Sequence, residues 1–323
     1  MQTTRRTFLS TATATTALAA ARASKSGAKA PAVKSGPNFY VAAVTPCDKN
    51  LKFDEGLYRD LMPFFKEKGA DGVVVLGTTG EFPSFSVAER KRAAEVALKH
   101  RSGLRMIVQV GTPNLPETLE LLNHAQGNGA DGVLCIPPFY YKNPGLEPLF
   151  KHYSAVMEAS KVPVYLYHIP GTSAVPITHE LLHKLEQYPN LAGIKDSTGS
   201  AEGYAAFVKE FPKLDMMSGT DNNIPVALKN NMGAILMGGN IFTKQSAAVF
   251  AAHRAGKDLT DAMTKLREAN ALLRGTGGTS ISGIKYSLTG WGFRESFARP
   301  PQPEVTAEQK AQIKPKLAEL VKL

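Results

Sequence analysis

The chain has 323 residues, of which 43% are hydrophobic and 8% aromatic, so it can bury a core large enough for one large or two small domains. The net charge is +10, but much of the excess precedes the first acidic residue, Asp48. No basic stripe with interleaved aromatic residues follows, which argues against nucleic-acid binding. With two cysteines, no CxxC pair and seven scattered histidines, we predict neither a metal nor an organic cofactor.

The first segment is basic and then mildly apolar. Arg5 and Arg6 precede an Ala/Thr/Leu stretch over 11–21. This pattern resembles a twin-arginine export signal over residues 1–23, and a flexible linker over 24–37 follows it. The apolar stretch is too short to span a bilayer, so we expect a periplasmic protein with no membrane association after processing. A disordered basic tail on a cytoplasmic protein is the alternative.

From Asn38 onward, short apolar runs alternate with longer amphipathic stretches. We predict strands over 40–44, 72–76, 105–110, 132–136, 162–167, 191–195, 215–218 and 234–237. Helical spacing predicts helices over 55–68, 87–100, 115–127, 146–159, 179–186, 202–211 and 223–231. Eight strands, each followed by a helix, are typical of βαβ units and predict a (β/α)8 TIM barrel. An open doubly wound sheet is the alternative, but no GxGxxG follows the first strand.

The chain continues well beyond the eighth strand. Helical spacing over 246–255, 260–273, 281–288 and 307–321 predicts a C-terminal helical extension. We expect these helices to pack on the barrel, so that residues 38–323 form a single domain.

The predicted second strand ends in a turn rich in glycine and threonine. In a barrel, function concentrates where strands end on the C-terminal face. Thr78, Thr79 and Gly80 lie at such an end, where a tight turn, two hydroxyls and backbone N–H groups could hold a carboxylate. Taken alone, the same turn could serve only to cap the next helix.

Aromatic side chains follow the fourth strand and end the fifth. Alternation places Tyr165 and Tyr167 on one face of the fifth strand, where a phenol could move protons or simply pack in the core. Tyr140 and Tyr141 follow the fourth strand in a loop that could also pack at a subunit interface.

Lys195 ends the apolar run 191–194 and opens the turn 196–199. Burial disfavours the charged form of a lysine, and a neutral amine is a nucleophile toward a ketone. A lysine that extends to the surface past the strand is the alternative. Together with the anion-binding turn and a phenol, the amine predicts attack on the ketone of a 2-oxo acid such as pyruvate. The resulting imine can then accept electrons from a neighbouring carbon–carbon bond.

Three motifs carry a resemblance to a known family. They are Gly77-Thr78-Thr79-Gly80-Glu81, Tyr167-His168-Ile169-Pro170-Gly171 and Gly193-Ile194-Lys195-Asp196-Ser197. In this order they resemble the signature motifs of the dihydrodipicolinate synthase/N-acetylneuraminate lyase family of pyruvate-dependent aldolases. The resemblance covers roughly residues 38 to 320 and implies a (β/α)8 barrel with C-terminal helices, assembled as a homotetramer or dimer.

The resemblance also implies roles for individual residues. Lys195 would form the Schiff base, and Tyr167 would act as general acid/base beside it. Thr78 and Thr79 would bind the pyruvyl carboxylate, and Thr78 would also link Tyr167 into a proton relay. The relay's second tyrosine comes from the partner subunit in this family, and Tyr140 matches it best, although counting back from Pro144 favours Tyr141.

Departures from the family pattern narrow the range of possible substrates. Thr172 stands where dihydrodipicolinate synthases carry an arginine for the second substrate's carboxylate, and Met237 stands where sialic acid lyases have a serine. Asp221 is followed by Asn222 rather than by the glutamate of the lyases. For substrate binding we predict Thr78, Thr79, Gly80, Gly171, Thr172, Ser173, Asp221, Ile235, Gly239 and Asn240.

Three functional hypotheses remain. The first is a Schiff-base-forming lyase or aldolase that joins or separates a 2-oxo acid and an aldehyde. The second is a 4-hydroxy-tetrahydrodipicolinate synthase-like condensing enzyme or a 2-oxo sugar acid dehydratase that uses the same imine. The third is a non-catalytic periplasmic solute-binding barrel.

Overall fold

The computed structural model describes residues 36–323, which form a closed barrel of eight parallel strands in chain order, with β8 paired to β1. The strands are β1 Phe39–Ala42, β2 Gly72–Val75, β3 Arg105–Gln109, β4 Gly132–Cys135, β5 Val164–His168, β6 Leu191–Asp196, β7 Asp215–Ser218 and β8 Ala234–Leu236. The helices are α1 Glu55–Glu67, α2 Val87–Lys99, α3 Leu115–Gly127, α4 Leu146–Ala159, α5 Pro170–Ser173, α6 His179–Leu185, α7 Ala201–Glu210, α8 Ile224–Lys229, α9 Thr243–Arg254, α10 Thr260–Leu273, α11 Ile281–Ser287 and α12 Ala307–Leu320.

The predicted fold class is confirmed, and the open doubly wound sheet is wrong because β8 closes onto β1. The predicted export signal and nearly all of the predicted linker lie outside the described residues, so those boundaries stay predictions. Two predicted element starts differ from the structure by more than one residue. β5 begins at Val164, after Pro163, because proline has no N–H to donate to a neighbouring strand. α9 begins at Thr243, three residues before the predicted start, and the Thr243 hydroxyl donates to the Gly239 carbonyl.

Strands β1, β2 and β4 are apolar and buried on both faces, as expected for a parallel sheet covered by helices. Several helices begin at side chains that accept a hydrogen bond from an otherwise unpaired N–H. Asp54 caps α1 in this way, Asn114 caps α3, and Ser86 forms a capping box with Glu89 at the start of α2. Each cap fixes the residue at which a helix begins after a strand. Because neighbouring strands are parallel, the C-terminal ends of all eight lie at one face of the barrel.

The C-terminal extension packs on the barrel, with α10 against α9 and α12 and α11 against α12. Arg299 fastens it to the loop after β2. The Arg299 guanidinium donates to both Glu89 carboxylate oxygens, at 2.6 and 3.0 Å, and to the Ser84 carbonyl at 2.8 Å. This guanidinium and the hydrogen bonds that Ser86 donates to Glu89 lower the pKa of Glu89 to about 2, although burial alone would raise it. The extension therefore supports the same barrel face to which the predicted site belongs.

Candidate active site

Lys195 and Tyr167 face each other across β5 and β6, where they are partners in register. The Lys195 ammonium donates to the Tyr167 hydroxyl at 3.4 Å and lies 4.4 Å from the centre of its ring. Both side chains are buried, with 4% of Lys195 and 2% of Tyr167 exposed. The lysine therefore stays inside the barrel mouth instead of reaching the surface, which removes the alternative that it extends into solvent.

A β-bulge in β6 produces this alignment. Leu191 pairs with Val164, but the next pair is Gly193 with Tyr165, so Ala192 is an extra residue on β6. Without it, Tyr167 would face Ile194, because a one-residue slip turns each side chain to the opposite face.

Gly193 is required at the bulge, because a Cβ there would lie 1.9 Å from the carbonyl oxygen of Asp215. The glycine of the third motif therefore has a steric role two residues before Lys195.

Thr78 completes a chain of three polar groups. Its hydroxyl donates to the Tyr167 hydroxyl at 3.4 Å. Burial of Tyr167 raises the pKa of its phenol, but the Lys195 charge and hydrogen bonds from Thr78, Ser197 and Lys195 lower it further than burial raises it. The net pKa of Tyr167 therefore lies below its usual value, which suits a group that gives and takes a proton.

The turn after β2 is strained and tightly packed. Leu76 and Glu81 flank it with φ of 59° and 53°, in the left-handed region that residues other than glycine rarely adopt. A Cβ at Gly80 would lie 3.0 Å from the Ala43 carbonyl and from the Leu76 backbone. Within residues 36–323 the backbone N–H groups of Thr79 and Gly80 donate to no other residue. Free donors beside Thr78 fit the predicted carboxylate-binding turn.

Sequence reasoning missed Lys285, which supports this turn from α11. Its side chain is fully buried and forms an ion pair with Glu81, the last residue of the turn motif. The Lys285 ammonium also donates to the Phe297 carbonyl at 2.8 Å, and Glu81 accepts the Arg299 N–H at 2.8 Å. A lysine in the apolar run over 281–288, whose helical spacing predicts a packed face, was the available signal.

The structure brings together Lys195, Tyr167, Thr78, Thr79 and Gly80, but not every residue predicted for the aldehyde pocket. Thr172 is exposed on α5 beyond β5. Ser173 is fully buried, and its hydroxyl donates to the carbonyls of Ile169 and Val175 within its own loop.

The remaining predicted wall residues lie at the ends of β7 and β8. Ile235 is fully buried within β8. Gly239 packs on β1, where a Cβ would meet the Phe39 ring at 2.9 Å. Asn240 is fully buried and bonds to the Ala42 and Met237 carbonyls, so it ties β1 to β8. Asp221 lies in the loop after β7, beside Asn270 of α10.

Tyr140 and Tyr141 lie in the loop after β4, and their rings contact each other edge to face, with centres 5.3 Å apart. They are 72% and 75% exposed, so neither reaches Tyr167 of its own chain. Two adjacent exposed tyrosine rings fit a surface that another copy covers, as the resemblance implies. The assignment of either ring to the relay stays a prediction.

A family model of the dihydrodipicolinate synthetase family matches residues 37–320. The chain belongs to this family. The resemblance seen in the three motifs is therefore confirmed. The chain is 34% identical over 278 residues to a 4-hydroxy-tetrahydrodipicolinate synthase of Brucella suis, which covers 82% of this chain and 92% of that protein. An uncharacterized lyase of Chloroflexus aurantiacus is 36% identical over 215 residues, 65% of this chain and 72% of that one.

Solved structures of the family share the fold. A prophage protein from E. coli K12, in complex with pyruvate, has a TM-score of 0.81 at 25% identity, covering 88% of this chain and 98% of that one. A chloride-inhibited dihydrodipicolinate synthase from Acinetobacter baumannii, complexed with pyruvate, has a TM-score of 0.80 at 28% identity, covering 89% and 99%. A sialic acid aldolase from Ruminococcus gnavus shares the fold, with a TM-score of 0.82 at 23% identity, covering 88% and 97%.

Residues 36–323 contain neither a clustered metal site nor a membrane-spanning helix. No group of three or more His, Cys, Asp or Glu side chains there could hold a metal ion. Among the helices of the same part of the chain, none is long and apolar enough to cross a membrane.

Proposed function

We propose that this protein is a class I, lysine-dependent lyase that makes or breaks a carbon–carbon bond between pyruvate, or a related 2-oxo acid, and an aldehyde. The observation that carries the proposal is the buried Lys195 amine, 3.4 Å from the Tyr167 hydroxyl, which in turn lies 3.4 Å from the Thr78 hydroxyl. A buried amine with a proton-transfer group in contact is the arrangement that imine formation needs.

In the cleavage direction, the enzyme first forms an imine with the bound 2-oxo acid. The Lys195 ammonium first gives up a proton through Tyr167, and the neutral nitrogen attacks the ketone carbon of the bound acid. A carbon–nitrogen bond forms, and the ketone oxygen leaves as water after it takes one proton from the nitrogen and one back through Tyr167. The protonated imine then draws electrons from the bond beyond the adjacent carbon. That bond breaks, the aldehyde leaves, and its former hydroxyl proton passes to Tyr167. Protonation of the enamine and hydrolysis of the imine release pyruvate and restore the amine.

The turn after β2 supplies hydrogen-bond donors for the carboxylate of the 2-oxo acid. The unpaired N–H groups of Thr79 and Gly80, with the Thr78 hydroxyl nearby, would hold the carboxylate next to the ketone. Holding the carboxylate there orients the ketone toward β6, and the buried surroundings strengthen these hydrogen bonds.

Borohydride reduction in the presence of pyruvate tests the proposal. We expect a stable adduct that peptide mapping places on Lys195, and no adduct in Lys195→Arg. Lys285 is the internal control, because it is an equally buried lysine that is paired with Glu81 and faces no phenol relay. Pyruvate that binds without forming an adduct would favour the solute-binding barrel, and an adduct on Lys285 alone would contradict the site.

A condensing or dehydrating enzyme is the second candidate, and the 34% identity to a 4-hydroxy-tetrahydrodipicolinate synthase favours it. Thr172 opposes it, because an exposed threonine offers no guanidinium for the second substrate's carboxylate. Incubation with pyruvate and aspartate semialdehyde, in parallel with a panel of 2-oxo sugar acids, separates the candidates by product.

We infer that the protein works as a homo-oligomer, a tetramer or a dimer, in which Tyr140 of one copy completes the relay of another. The exposed pair Tyr140 and Tyr141 supports this inference. Mixing Lys195→Ala with Tyr140→Phe should restore activity that each variant lacks, since a hybrid contains one site with both groups intact. If instead Tyr141→Phe is inactive alone and regains activity when it is mixed with Lys195→Ala, the relay role belongs to Tyr141.

For localisation we propose export through the twin-arginine route, directed by residues 1–23. The adjacent Arg5 and Arg6 and the weakly apolar stretch after them support it. The native protein should fractionate with the periplasm, and a variant with Arg5→Lys and Arg6→Lys should stay in the cytoplasm. Cytoplasmic retention of the native protein would make the segment a basic tail.

A further inference from the structure

A cavity of about 180 Å³ opens beside the barrel mouth, between the loop after β7 and helix α10. Asp221 and Asn222 line one side of it. Arg267, Asn270 and Arg274 line the other side and share one face of α10 and its C-terminal end. No motif of the sequence points to these three residues.

Strand β7 connects the cavity to the strand that carries the reacting lysine. β7 pairs with β6 so that Met217 is the partner of Lys195, and the Gly219 N–H donates to the Asp196 carbonyl at 2.6 Å. Asp221 follows Met217 by four residues, a path of at most about 14 Å along the chain. The Asn270 side-chain oxygen lies 3.9 Å from the position of a Cβ on Gly238, directly after β8. A substrate joined to Lys195 could therefore extend its far end into the cavity.

The cavity has an apolar floor and a cationic rim. Met263 and Leu266 form the floor and are buried. Arg267 and Arg274 form the rim and are exposed, and within residues 36–323 their guanidinium groups form no hydrogen bond or ion pair. A guanidinium binds carboxylate or phosphate with two parallel hydrogen bonds, and two of them at one cavity favour an anion.

Asp221 and Asn270 supply the polar wall. Burial raises the pKa of the Asp221 carboxyl, while a hydrogen bond from Asn270 opposes the rise. The carboxyl oxygens can accept a hydrogen bond from a substrate hydroxyl.

We propose that this cavity is the subsite for the far end of the aldehyde partner, and that it selects aldehydes carrying an anionic group distant from the carbonyl. The inference rests on the proposed function. Position 172 is a threonine and carries no charge, so the proposal assigns the binding of the anionic group to the arginines of α10. The competing explanation is that Arg274 only stabilises the C-terminal end of α10 through the helix dipole. In that case its loss would change stability without changing substrate preference.

The experiment compares charged and uncharged aldehydes of matched size, with pyruvate as the common donor. The first pair is 4-oxobutanoate and butanal, which tests a carboxylate, and the second is glyceraldehyde 3-phosphate and glyceraldehyde, which tests a phosphate. The variants are Arg267→Gln, Arg274→Gln and the double variant. Lys265→Gln is the matched control, because Lys265 is on the same helix but pairs with Asp261 outside the cavity.

We expect the double variant to lower kcat/KM for one charged aldehyde by about tenfold to a hundredfold, mainly through KM, as the loss of charged hydrogen bonds predicts. The uncharged partner and the Lys265→Gln control should stay within about twofold. The charged aldehyde whose kcat/KM falls shows whether the cavity binds a carboxylate or a phosphate. Equal losses for both members of each pair, or no loss in either pair, would overturn the proposal. Borohydride trapping of pyruvate on Lys195 should persist in every variant. If trapping fails in the native protein as well, the proposed function is wrong, and the result does not bear on this subsite.

Discussion

Lys285 and Glu81 form a fully buried ion pair that joins α11 to the turn after β2. Glu81 has a φ of 53° and ends the motif that contains Thr78 and Thr79. Burial lowers the pKa of Lys285, while the Glu81 charge opposes that shift. A strained turn persists only where its surroundings hold it, and this pair is one of the contacts that do so.

The first prediction concerns Lys285→Met. The substitution leaves the Glu81 carboxylate buried without its counter-ion, which costs about 3–5 kcal/mol in comparable pairs. We expect the free energy of unfolding, measured with urea, to fall by that order, and KM for pyruvate to rise because the turn loses its anchor.

Glu81→Gln combined with Lys285→Met provides the control. Removing both charges leaves no unpaired ion, so the double variant should be more stable than the sum of the two single losses predicts. Strict additivity of the two losses would show that the pair is not coupled. A native KM for pyruvate in Lys285→Met would show that the turn does not depend on it.

The second prediction concerns Tyr167→Phe, with Tyr165→Phe as its control on the same strand. Loss of a general acid/base costs about a hundredfold to ten-thousandfold in rate, so we expect kcat to fall in that range for Tyr167→Phe. Tyr165 lies two residues earlier, and its hydroxyl donates to Asp215 at 3.5 Å, away from Lys195. Its substitution should change the urea midpoint but leave kcat within about threefold. Similar kcat losses in both variants would remove the special role of Tyr167.

The third prediction concerns the pH dependence of catalysis. The Thr78 hydroxyl is one of the groups that hold the pKa of Tyr167 below its usual value. Thr78→Val removes that hydrogen bond, so the pKa of Tyr167 should rise, whereas Thr78→Ser should keep it low. The measurement is kcat/KM against pH, in which the ionisation absent from Tyr167→Phe reports this group. A shift to lower pH in Thr78→Val would contradict the relay.

The sequence predicts the barrel because strand and helix periodicities alternate, and because helix starts such as Ser86 and Asn114 carry their own capping side chains. It also predicts Lys195 and Tyr167, since each ends a buried strand. It does not predict their alignment, which depends on the bulge at Ala192, and a bulge is fixed by pairing with β5 rather than by local residues. Lys285 escaped prediction for the same reason, because its partner Glu81 is distant in the chain. Arg267 escaped it because the cavity that it lines also needs the distant loop after β7.

The fourth prediction tests the bulge with Gly193→Ala. The added Cβ would lie 1.9 Å from the Asp215 carbonyl, so β6 or β7 must move. We expect a loss of stability of about 2 kcal/mol or more and a much slower pyruvate adduct on Lys195. Gly127→Ala is the matched control, because Gly127 is exposed on α3 and a Cβ there meets no atom within 4 Å, so it should form the adduct as the native protein does. Rapid adduct formation in Gly193→Ala would mean that the bulge does not set the position of Lys195.

The fifth prediction concerns stability in acid. His152 on α4 is buried beside Tyr153, and burial lowers its pKa to about 4. The unfolded chain has the higher pKa, about 6.5, so it binds more protons between pH 6.5 and 4. The contribution of His152 is therefore complete above about pH 6.5 and is lost as pH falls toward 4, by up to about 3 kcal/mol. Urea unfolding at several pH values should show that His152→Leu loses less stability across this window than the native protein. Parallel curves for the two proteins would show that His152 is not held neutral.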